Sequence, residues 1–312
     1  MSKKIIVVGS YSVGLFLNGP IPLEGETQIA NGFFETFGGK GSNQAVTARK
    51  MGGDVQMICK VGRDRYADDM LNMYKSIGMN TDSVLFSEDK GTSIGAIIVD
   101  PDGRNAISNY LGANLDLTAK EAIDLIRAQK DKPFLVGFQL ESDRDMVLEC
   151  IKACADMNIP TLLDPAPAAP LPEWIYPHIT YIKPNEHEAA VLSGISIQSP
   201  QDAFRAGRWF IEAGVREAII TLGENGTVYV TRDCEKYFEA IHVNAVDSTG
   251  AGDVFSGTLM TAMSQGMPMD RAIVYANCAA SLSVTKSGVT ESIPTIEEVN
   301  ALFTKVCMER GM

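Results

Sequence analysis

The clearest candidate for chemistry is a loop of small and acidic residues that directly precedes an apolar helical pattern; it reads Asp247-Ser248-Thr249-Gly250-Ala251-Gly252-Asp253. Small side chains at a helix start let backbone N–H groups converge on a multiply charged anion, which the helix dipole also favours. A phosphate group suits such a loop. Asp253 could then accept the proton of an attacking hydroxyl while the N–H groups of Gly250 to Asp253 stabilise a transferred phosphoryl group. The alternative is a tight loop with a helix-capping carboxylate.

A second glycine-rich loop opens another predicted helix, and it reads Phe37-Gly38-Gly39-Lys40-Gly41-Ser42-Asn43-Gln44. Its glycines permit close approach of the backbone to a polar ligand. It is not a Walker A loop, because Gly41 follows Lys40 where that motif has Ser or Thr. The segment from Gly9 to Gly14 likewise lacks the glycine spacing of a dinucleotide-binding turn.

A third polar segment, Lys183-Pro184-Asn185-Glu186-His187-Glu188, directly follows a buried-strand pattern. Ligands of open α/β sheets bind at the carboxyl ends of the strands. Asn and Glu at that point can order metal-bound water and phosphate oxygens. The alternative is a helix N-terminus whose acidic residues complement the helix dipole.

Short apolar runs alternate with amphipathic helical patterns along most of the chain, which predicts βαβ units and a parallel sheet covered on both faces. The predicted strands are 5–8, 55–59, 134–137, 161–163, 181–182 and 218–221. The predicted helices are 42–51, 66–77, 119–127, 144–157, 200–212, 252–265 and 269–285.

Two segments break this alternation. Residues 27–37 and 92–110 have strand patterns without intervening helices, and Asp100-Pro101-Asp102-Gly103 is a strong turn signal for a hairpin. The sequence therefore predicts one domain over 1–312, with a small antiparallel lid formed discontinuously from about 11–37 and 91–110.

Composition excludes several classes of protein. The 312 residues carry 27 Lys and Arg against 39 Asp and Glu, a net charge of −12, which disfavours nucleic acid and anionic membrane surfaces as partners. The apolar run at Ile5 to Val8 is too short for a secretory signal or a membrane span, so we expect a cytoplasmic protein. Six scattered cysteines form no C-x-x-C pair and predict neither disulfides nor a zinc site.

The three loops, in this order and spacing, resemble the ribokinase family of carbohydrate kinases, also called the phosphofructokinase-B type. Further matching segments are Gly112-Ala113-Asn114, Gln139-Leu140-Glu141-Ser142, Asp164-Pro165-Ala166-Pro167-Ala168 and Ile220-Thr221-Leu222-Gly223. The resemblance implies a three-layer α/β/α fold with a mostly parallel sheet and a β lid. It also implies ATP-dependent phosphorylation of a primary hydroxyl on a small sugar such as a pentose, with Mg²⁺, a monovalent cation (K⁺) and a homodimer formed through the lid.

The resemblance also implies residue roles. Asp253 corresponds to the catalytic base and Gly250, Ala251 and Gly252 to its anion hole. Sugar contacts correspond to Gly38, Gly39, Asn43 and Glu141. Asn185 and Glu188 match the magnesium and phosphate positions; Thr221, Gly223, Gly226 and Asn277 match the nucleotide side. The monovalent cation would lie beside Asp247 and Thr249, with carbonyls near Val284, Gly288 and Ser292.

One departure from the family pattern concerns the acceptor. Family members usually read Gly-Ser-x-Asn-x-Asp after the first strand, and that Asp binds two sugar hydroxyls; this chain has Ser12 and Gly14 at the Asn and Asp positions. Charge-assisted hydrogen bonds contribute roughly 1.5 to 3 kcal/mol each, so ribose should bind less well without them. Either Glu24, Glu26 or Glu35 replaces the carboxylate, or the substrate lacks those hydroxyls or fills the space beside Gly14.

Other acceptors therefore stay open: a deoxy or substituted sugar, a nucleoside, or a phosphorylated ketose. A phosphorylated acceptor needs cations near the sugar loops, where Lys40 and Arg104 are candidates. We interpret Lys40 as structural, because family members with unphosphorylated acceptors also carry it. A non-catalytic sugar-binding protein is the remaining alternative, and the intact Asp253 loop argues against it.

Overall fold

A computed structural model describes residues 2–311 of the chain. Its main sheet has nine strands in the spatial order β13-β12-β11-β10-β9-β8-β1-β4-β5. The strands are β1 (Lys4–Val8), β4 (Asp54–Val61), β5 (Val84–Phe86), β8 (Leu135–Phe138), β9 (Thr161–Leu163), β10 (Tyr181–Ile182), β11 (Glu217–Thr221), β12 (Thr227–Val230) and β13 (Glu235–Phe238). Pairing is parallel from β5 to β11 and antiparallel at β12 and β13.

Helices cover both faces of this sheet. They are α1 (Lys40–Lys50), α2 (Arg65–Ser76), α3 (Ala119–Arg127), α4 (Arg144–Asp156), α5 (Glu186–Ser193), α6 (Pro200–Glu212), α7 (Ala251–Ser264), α8 (Met269–Ser283) and α9 (Ile296–Arg310). Ile5 and Val7 belong to the core shared with α1, α2, α7, α8 and α9, whereas Ile6 and Val8 belong to the core shared with α3 to α6. Successive strand residues point to opposite faces, so β1, buried on both, supplies both cores. The predicted three-layer α/β/α fold is confirmed.

The lid is a separate sheet of four strands in the order β3-β2-β6-β7. Its strands are β2 (Ser12–Asn18), β3 (Gly32–Gly38), β6 (Ser93–Val99) and β7 (Asn105–Tyr110). The predicted hairpin joins β6 to β7, and Asp100 holds its turn by accepting backbone N–H bonds from Asp102 and Arg104. The first predicted lid strand begins too early, since residues 27–31 have no strand structure.

Several elements were not predicted from the sequence. They are β2, β5, the antiparallel edge strands β12 and β13, and α9 at the C-terminal end. The polar segment 183–188 leads into the helix α5, as the alternative interpretation of that segment predicted. Asn185 is its N-cap, and Glu188 completes a capping box. No helix within 2–311 combines the length and apolarity that crossing a membrane requires.

Candidate active site

Asp253 lies in the first turn of α7 and is 4% exposed. Its Oδ2 accepts a hydrogen bond from Nδ2 of Asn43 at 2.9 Å, and its Oδ1 accepts one from Nε2 of Gln44 at 3.1 Å. Burial raises the pKa of Asp253 to about 6, although the Lys40 charge and both amide donors act in the opposite direction. A carboxyl group poised near neutrality is suited to accept a proton from a substrate hydroxyl.

The backbone at the start of α7 forms a tight loop, residues 247–253, which we call the anion loop after the ligand predicted for it. Gly250 caps the helix with φ of 78°, a left-handed conformation that glycine adopts without strain. The N–H of Ala251 donates to the Ser248 carbonyl at 3.3 Å and that of Asp253 to the Gly250 carbonyl at 2.9 Å. Within the described chain the Gly252 N–H has no backbone acceptor, as is usual in a first helical turn.

A buried ion pair lies behind this loop. Nζ of Lys183 is 2.8 Å from Oδ2 of Asp164, and both side chains are 3% exposed. The same Oδ2 accepts from Nε2 of Gln44 and from Oγ of Ser256, each at 3.0 Å. The Lys183 ammonium would lie 3.4 Å from a Cβ built on Gly252. A fixed positive charge therefore lies beside the anion loop.

Lys40 is the second cation of the site. Its side chain lines the same cavity as Asp253 and Lys183. Burial lowers the pKa of Lys40, but the surrounding carboxylates of Asp253, Asp164, Glu141 and Glu188 outweigh it, so the pKa lies above its ordinary value. Lys40 is therefore charged and lines the same cavity as the anion loop, and its interpretation as structural stays a prediction.

Asn185 and Glu188 line the same cavity as the anion loop. Glu188 is buried and accepts from the backbone N–H of Asn185 at 2.8 Å and from its Nδ2 at 3.0 Å. Burial and the neighbouring Asp164 raise the pKa of Glu188, against the lowering effect of Lys183. The described residues hold no group of three His, Cys, Asp or Glu side chains that could enclose a metal alone.

The predicted nucleotide residues line one cavity of about 340 Å³ together with Asp253 and the anion loop. The residues are Thr221, Gly223, Gly226 and Asn277. A cavity of about 390 Å³ continues past Gly223 and Asn277 toward the apolar residues Ile241 and Val284. Oδ1 of Asn277 accepts from Thr227 at 2.9 Å, while its buried Nδ2 has no acceptor in the described chain. Asn277 thus lies where the two cavities meet.

Three of the predicted sugar contacts line a different cavity from the one that Asp253 lines. Gly38, Gly39 and Glu141 line a cavity of about 210 Å³ roofed by the lid. Oε2 of Glu141 accepts from the Lys40 backbone N–H at 2.8 Å and from Ser10 Oγ at 2.6 Å. Asn43, the fourth predicted contact, donates from its Nδ2 to Asp253, and its buried Oδ1 has no partner within 2–311.

None of the carboxylates considered as replacements for the missing Asp reaches this acceptor cavity. Glu35 pairs with Arg65, and Glu24 and Glu26 are exposed in the loop between β2 and β3. Side chains of the lid itself, Phe16 and Thr36, occupy the space beside Gly14. A Cβ built there would lie 2.8 Å from Cε2 of Phe16 and 2.8 Å from Oγ1 of Thr36.

The residues expected around a monovalent cation are brought together in part. Oδ1 of Asp247 accepts from the Thr249 N–H at 2.9 Å and Oδ2 from the Gly288 N–H at 3.3 Å. The Val284 carbonyl accepts from the N–H of Asp247 at 3.1 Å. The Ser292 hydroxyl donates to the Val289 carbonyl at 2.9 Å, and the role of the carbonyls near Gly288 and Ser292 stays a prediction.

Three functional side chains were not singled out from the sequence: Gln44, Asp164 and Lys183. Asp164 directly follows β9 and Lys183 directly follows β10, and these strands are parallel neighbours. Because the carboxyl ends of parallel strands meet at one sheet edge, an acid and a base at two such ends were a usable signal.

Comparison with known proteins agrees with this geometry. The model of the pfkB family carbohydrate kinases matches residues 2–296. The chain is 36% identical to a ribokinase of Bacillus subtilis (strain 168) over 305 residues, covering 97% of this chain and all of the relative. It is 35% identical to a deoxyribokinase of Salmonella typhi over 300 residues, covering 95% and 97%.

A solved structure with the same fold is the Arabidopsis thaliana ribokinase complexed with ribose and ATP. It superposes with a TM-score of 0.90 at 25% identity and covers 97% of this chain and 99% of that one. Ribokinase and deoxyribokinase relatives are thus similar to the chain to the same degree.

Proposed function

We propose, from the premise that the chain belongs to the pfkB family and is an ATP-dependent carbohydrate kinase, that its acceptor is a pentose bound under the lid. In the reaction a primary hydroxyl of that sugar attacks the γ-phosphorus of ATP. The observation that carries this proposal is the buried Asp253, which lines the cavity of the anion loop and accepts hydrogen bonds from Asn43 and Gln44 of α1, the helix whose N-cap Gly39 lines the lid-covered cavity.

The proposed step is an in-line phosphoryl transfer. The acceptor oxygen forms a bond to the γ-phosphorus while the bond from that phosphorus to the β,γ-bridging oxygen breaks, and ADP leaves. Asp253 takes the hydroxyl proton, since its carboxylate has a pKa near the operating pH. The Gly252 N–H, Lys40 and Lys183 offset the charge of the transferred group.

A divalent cation fits beside Glu188. Glu188 is buried, and burial and the neighbouring Asp164 raise its pKa, so a bound cation would favour the ionised form of Glu188. We propose that Glu188 and Asn185 hold Mg²⁺ through water and the nucleotide phosphates. When bound, Mg²⁺ neutralises phosphate charge. The oxygens of Asp247, Thr249 and Val284 suit a monovalent cation such as K⁺ by their donor type.

A homodimer through the lid is a further part of the proposal. Leu17, Phe33 and Tyr110 are exposed on the lid face that points away from the cavity, whereas Phe34 and Ile107 are exposed on the cavity side. Exposed apolar residues that share one face are typical of interaction surfaces. A second copy placed on the outer face of the lid would cover Leu17, Phe33 and Tyr110. A cytoplasmic location stays a prediction from the N-terminal residues.

The acceptor cavity favours an unphosphorylated sugar. No Lys or Arg side chain is among the described residues that line it. Arg104 pairs with Asp100 and Asp102 in the hairpin turn, so it does not serve as a phosphate ligand there.

The test is ADP release measured with a panel of acceptors: ribose, 2-deoxyribose, fructose, inosine and fructose 6-phosphate, each with and without Mg²⁺ and K⁺. We expect pentose-dependent release that requires Mg²⁺ and rises with K⁺. Release with inosine or fructose 6-phosphate alone would contradict the pentose assignment. Acceptor binding without turnover on the whole panel would identify a sugar-binding protein instead.

A further inference from the structure

One row of four residues crosses the entire lid sheet. Gly14 on β2 is directly opposite Thr36 on β3 and Gly95 on β6, and Gly95 is opposite Asn109 on β7. Residues directly opposite in adjacent strands project from the same face. This face roofs the acceptor cavity, since all four residues line it. We refer to Thr36, Gly14, Gly95 and Asn109 as the glycine row.

The rows on either side of the glycine row differ in polarity. Two positions nearer the body, Ser12 and Ser93 are paired, and their hydroxyls are 3.1 Å apart. Two positions farther out, Phe16 and Ile97 are paired. The glycine row thus lies between a hydroxyl-bearing row and an apolar rim.

The side chains of Thr36 and Asn109, at the two ends of the glycine row, occupy the space beside Gly14 and Gly95. A Cβ built on Gly14 would lie 2.8 Å from Oγ1 of Thr36, and one built on Gly95 would lie 2.9 Å from Oδ1 of Asn109. A hydroxyl and a primary amide therefore occupy the part of the roof where the central strands have no side chains. Neither group is charged.

The chemistry of these groups differs from that of a carboxylate. An ionised carboxylate only accepts hydrogen bonds, so it selects for hydroxyl groups, whereas a threonine hydroxyl and an amide both donate and accept. Neutral hydrogen bonds are also about half as strong as charge-assisted ones. A roof of this kind discriminates weakly between a sugar with a given hydroxyl and one without it.

We propose that Thr36 and Asn109 are specificity-determining residues of the acceptor site, and that they let the enzyme use a deoxygenated pentose about as well as its hydroxylated counterpart. The inference rests on the proposed function, because it assigns the acceptor of that same site. The equal similarity of the chain to a ribokinase and a deoxyribokinase agrees with it.

The experiment measures kcat and KM for ribose and 2-deoxyribose at saturating ATP, and KM for ATP, in five proteins. They are the wild type, Thr36→Val, Asn109→Leu, the double variant Gly14→Asp with Thr36→Ala, and Ser108→Ala. The first two single substitutions keep side-chain volume and remove the polar group. The double variant places a carboxylate at position 14 and removes the Thr36 hydroxyl, one of the two groups within 2.8 Å of a Cβ there; the other is the edge of the Phe16 ring, which must rotate to admit the new side chain. Ser108 neighbours Asn109 on the opposite face and is the matched control.

We expect the two wild-type kcat/KM values to agree within about tenfold, since a neutral hydrogen bond accounts for no more than that. Thr36→Val and Asn109→Leu should each raise the acceptor KM about three- to tenfold and leave the KM for ATP and the thermal midpoint unchanged. Ser108→Ala should match the wild type. The double variant should raise the ratio of ribose to 2-deoxyribose kcat/KM by about tenfold or more.

Unchanged acceptor KM values in both single variants would overturn the inference, and so would a wild-type preference for ribose of about a hundredfold or more. Failure of the proposed function looks different, because no pentose would then support ADP release. In that case the variants are measured on whichever acceptor the wild type phosphorylates, or by calorimetric titration with ribose if it phosphorylates none. Unchanged affinity there overturns the inference as well.

Discussion

Nε2 of Gln44 lies 3.1 Å from Oδ1 of Asp253, and this buried amide also lies 3.0 Å from Oδ2 of Asp164. One donor thus bridges the proposed base and the carboxylate of the buried ion pair. Gln139 fixes the orientation of the Gln44 amide by donating to its Oε1 at 2.7 Å. The ionisation of Asp253 therefore depends on a neighbour that does not contact the substrate.

Replacing Gln44 with Glu keeps the shape of this bridge and changes its charge. A third carboxylate in contact with Asp253 and Asp164 should raise the pKa of Asp253 further, because a like charge disfavours ionisation. We expect the acidic limb of the kcat/KM profile to move up by about one pH unit or more. Gln129→Glu, which adds the same charge beyond α3, is the control. An unmoved limb in Gln44→Glu would contradict the bridging role.

The pH dependence of the wild type follows from the raised pKa of Asp253. The base is active when ionised, and its pKa is about 6. Below that pH protonation removes the proton acceptor, so kcat/KM should fall about tenfold per pH unit, and it should be level between about pH 7 and 8. Steady-state kinetics in buffers of constant ionic strength measure the profile. Activity that stays level down to pH 4.5 would show that another group, or none, acts as base.

The Lys183–Asp164 pair should contribute strongly to stability only as a pair. Lys183→Met leaves the Asp164 carboxylate buried without its partner, which costs about 3 to 5 kcal/mol of unfolding free energy. The double variant Lys183→Met with Asp164→Leu should lose less unfolding free energy than the sum of the losses in the two single variants. Urea unfolding measures the two single variants and the double variant.

The matched control for that pair is Lys120→Met. Its ion pair with Asp124 has side chains 87% and 54% exposed, so its loss should cost under about 1 kcal/mol. A Lys183→Met variant as stable as Lys120→Met would contradict the assignment of a buried, mutually dependent pair.

Replacing Gly39 tests whether the loop 37–44 must pack closely against the backbone of Tyr11 and Ser12. Gly39 has φ of 87°, and a Cβ there would lie 2.8 Å from the Ser12 nitrogen and from the Tyr11 Cα. Gly103 in the lid turn has φ of 82° with nothing within 4 Å, so it is the matched control. Gly103→Ala should cost about 1 kcal/mol from conformation alone. Gly39→Ala should cost clearly more in urea unfolding and raise the sugar KM. Equal costs would remove the close-approach argument.

The layered fold and the main loops of the site were predictable because each depends on local pattern. Apolar runs gave β1, β9 and β10, and glycine and acidic spacing gave the loop at Asp253 and the helix start at Asn185. The two edge strands β12 and β13 follow β11 without an α-helix between them. A search for strands that alternate with helices therefore does not find them.

The contents of the acceptor roof were not predictable. Thr36, Gly14, Gly95 and Asn109 come from four strands in two distant segments, and only the cross-strand register places them in one row. The loss of the family's Asp at Gly14 was visible in the sequence. That Phe16 and Thr36 occupy the space beside it depends on side-chain packing within the lid.

The most direct test of the account is the turnover of Asp253→Asn, measured as pentose-dependent ADP release alongside calorimetric binding of the same sugar. The substitution keeps size and polarity but removes the proton acceptor. We expect unchanged folding, sugar affinity within a few fold of wild type, and kcat lowered by about a hundredfold or more. Turnover near the wild-type rate would contradict the proposed role of Asp253 and with it the assigned transfer mechanism.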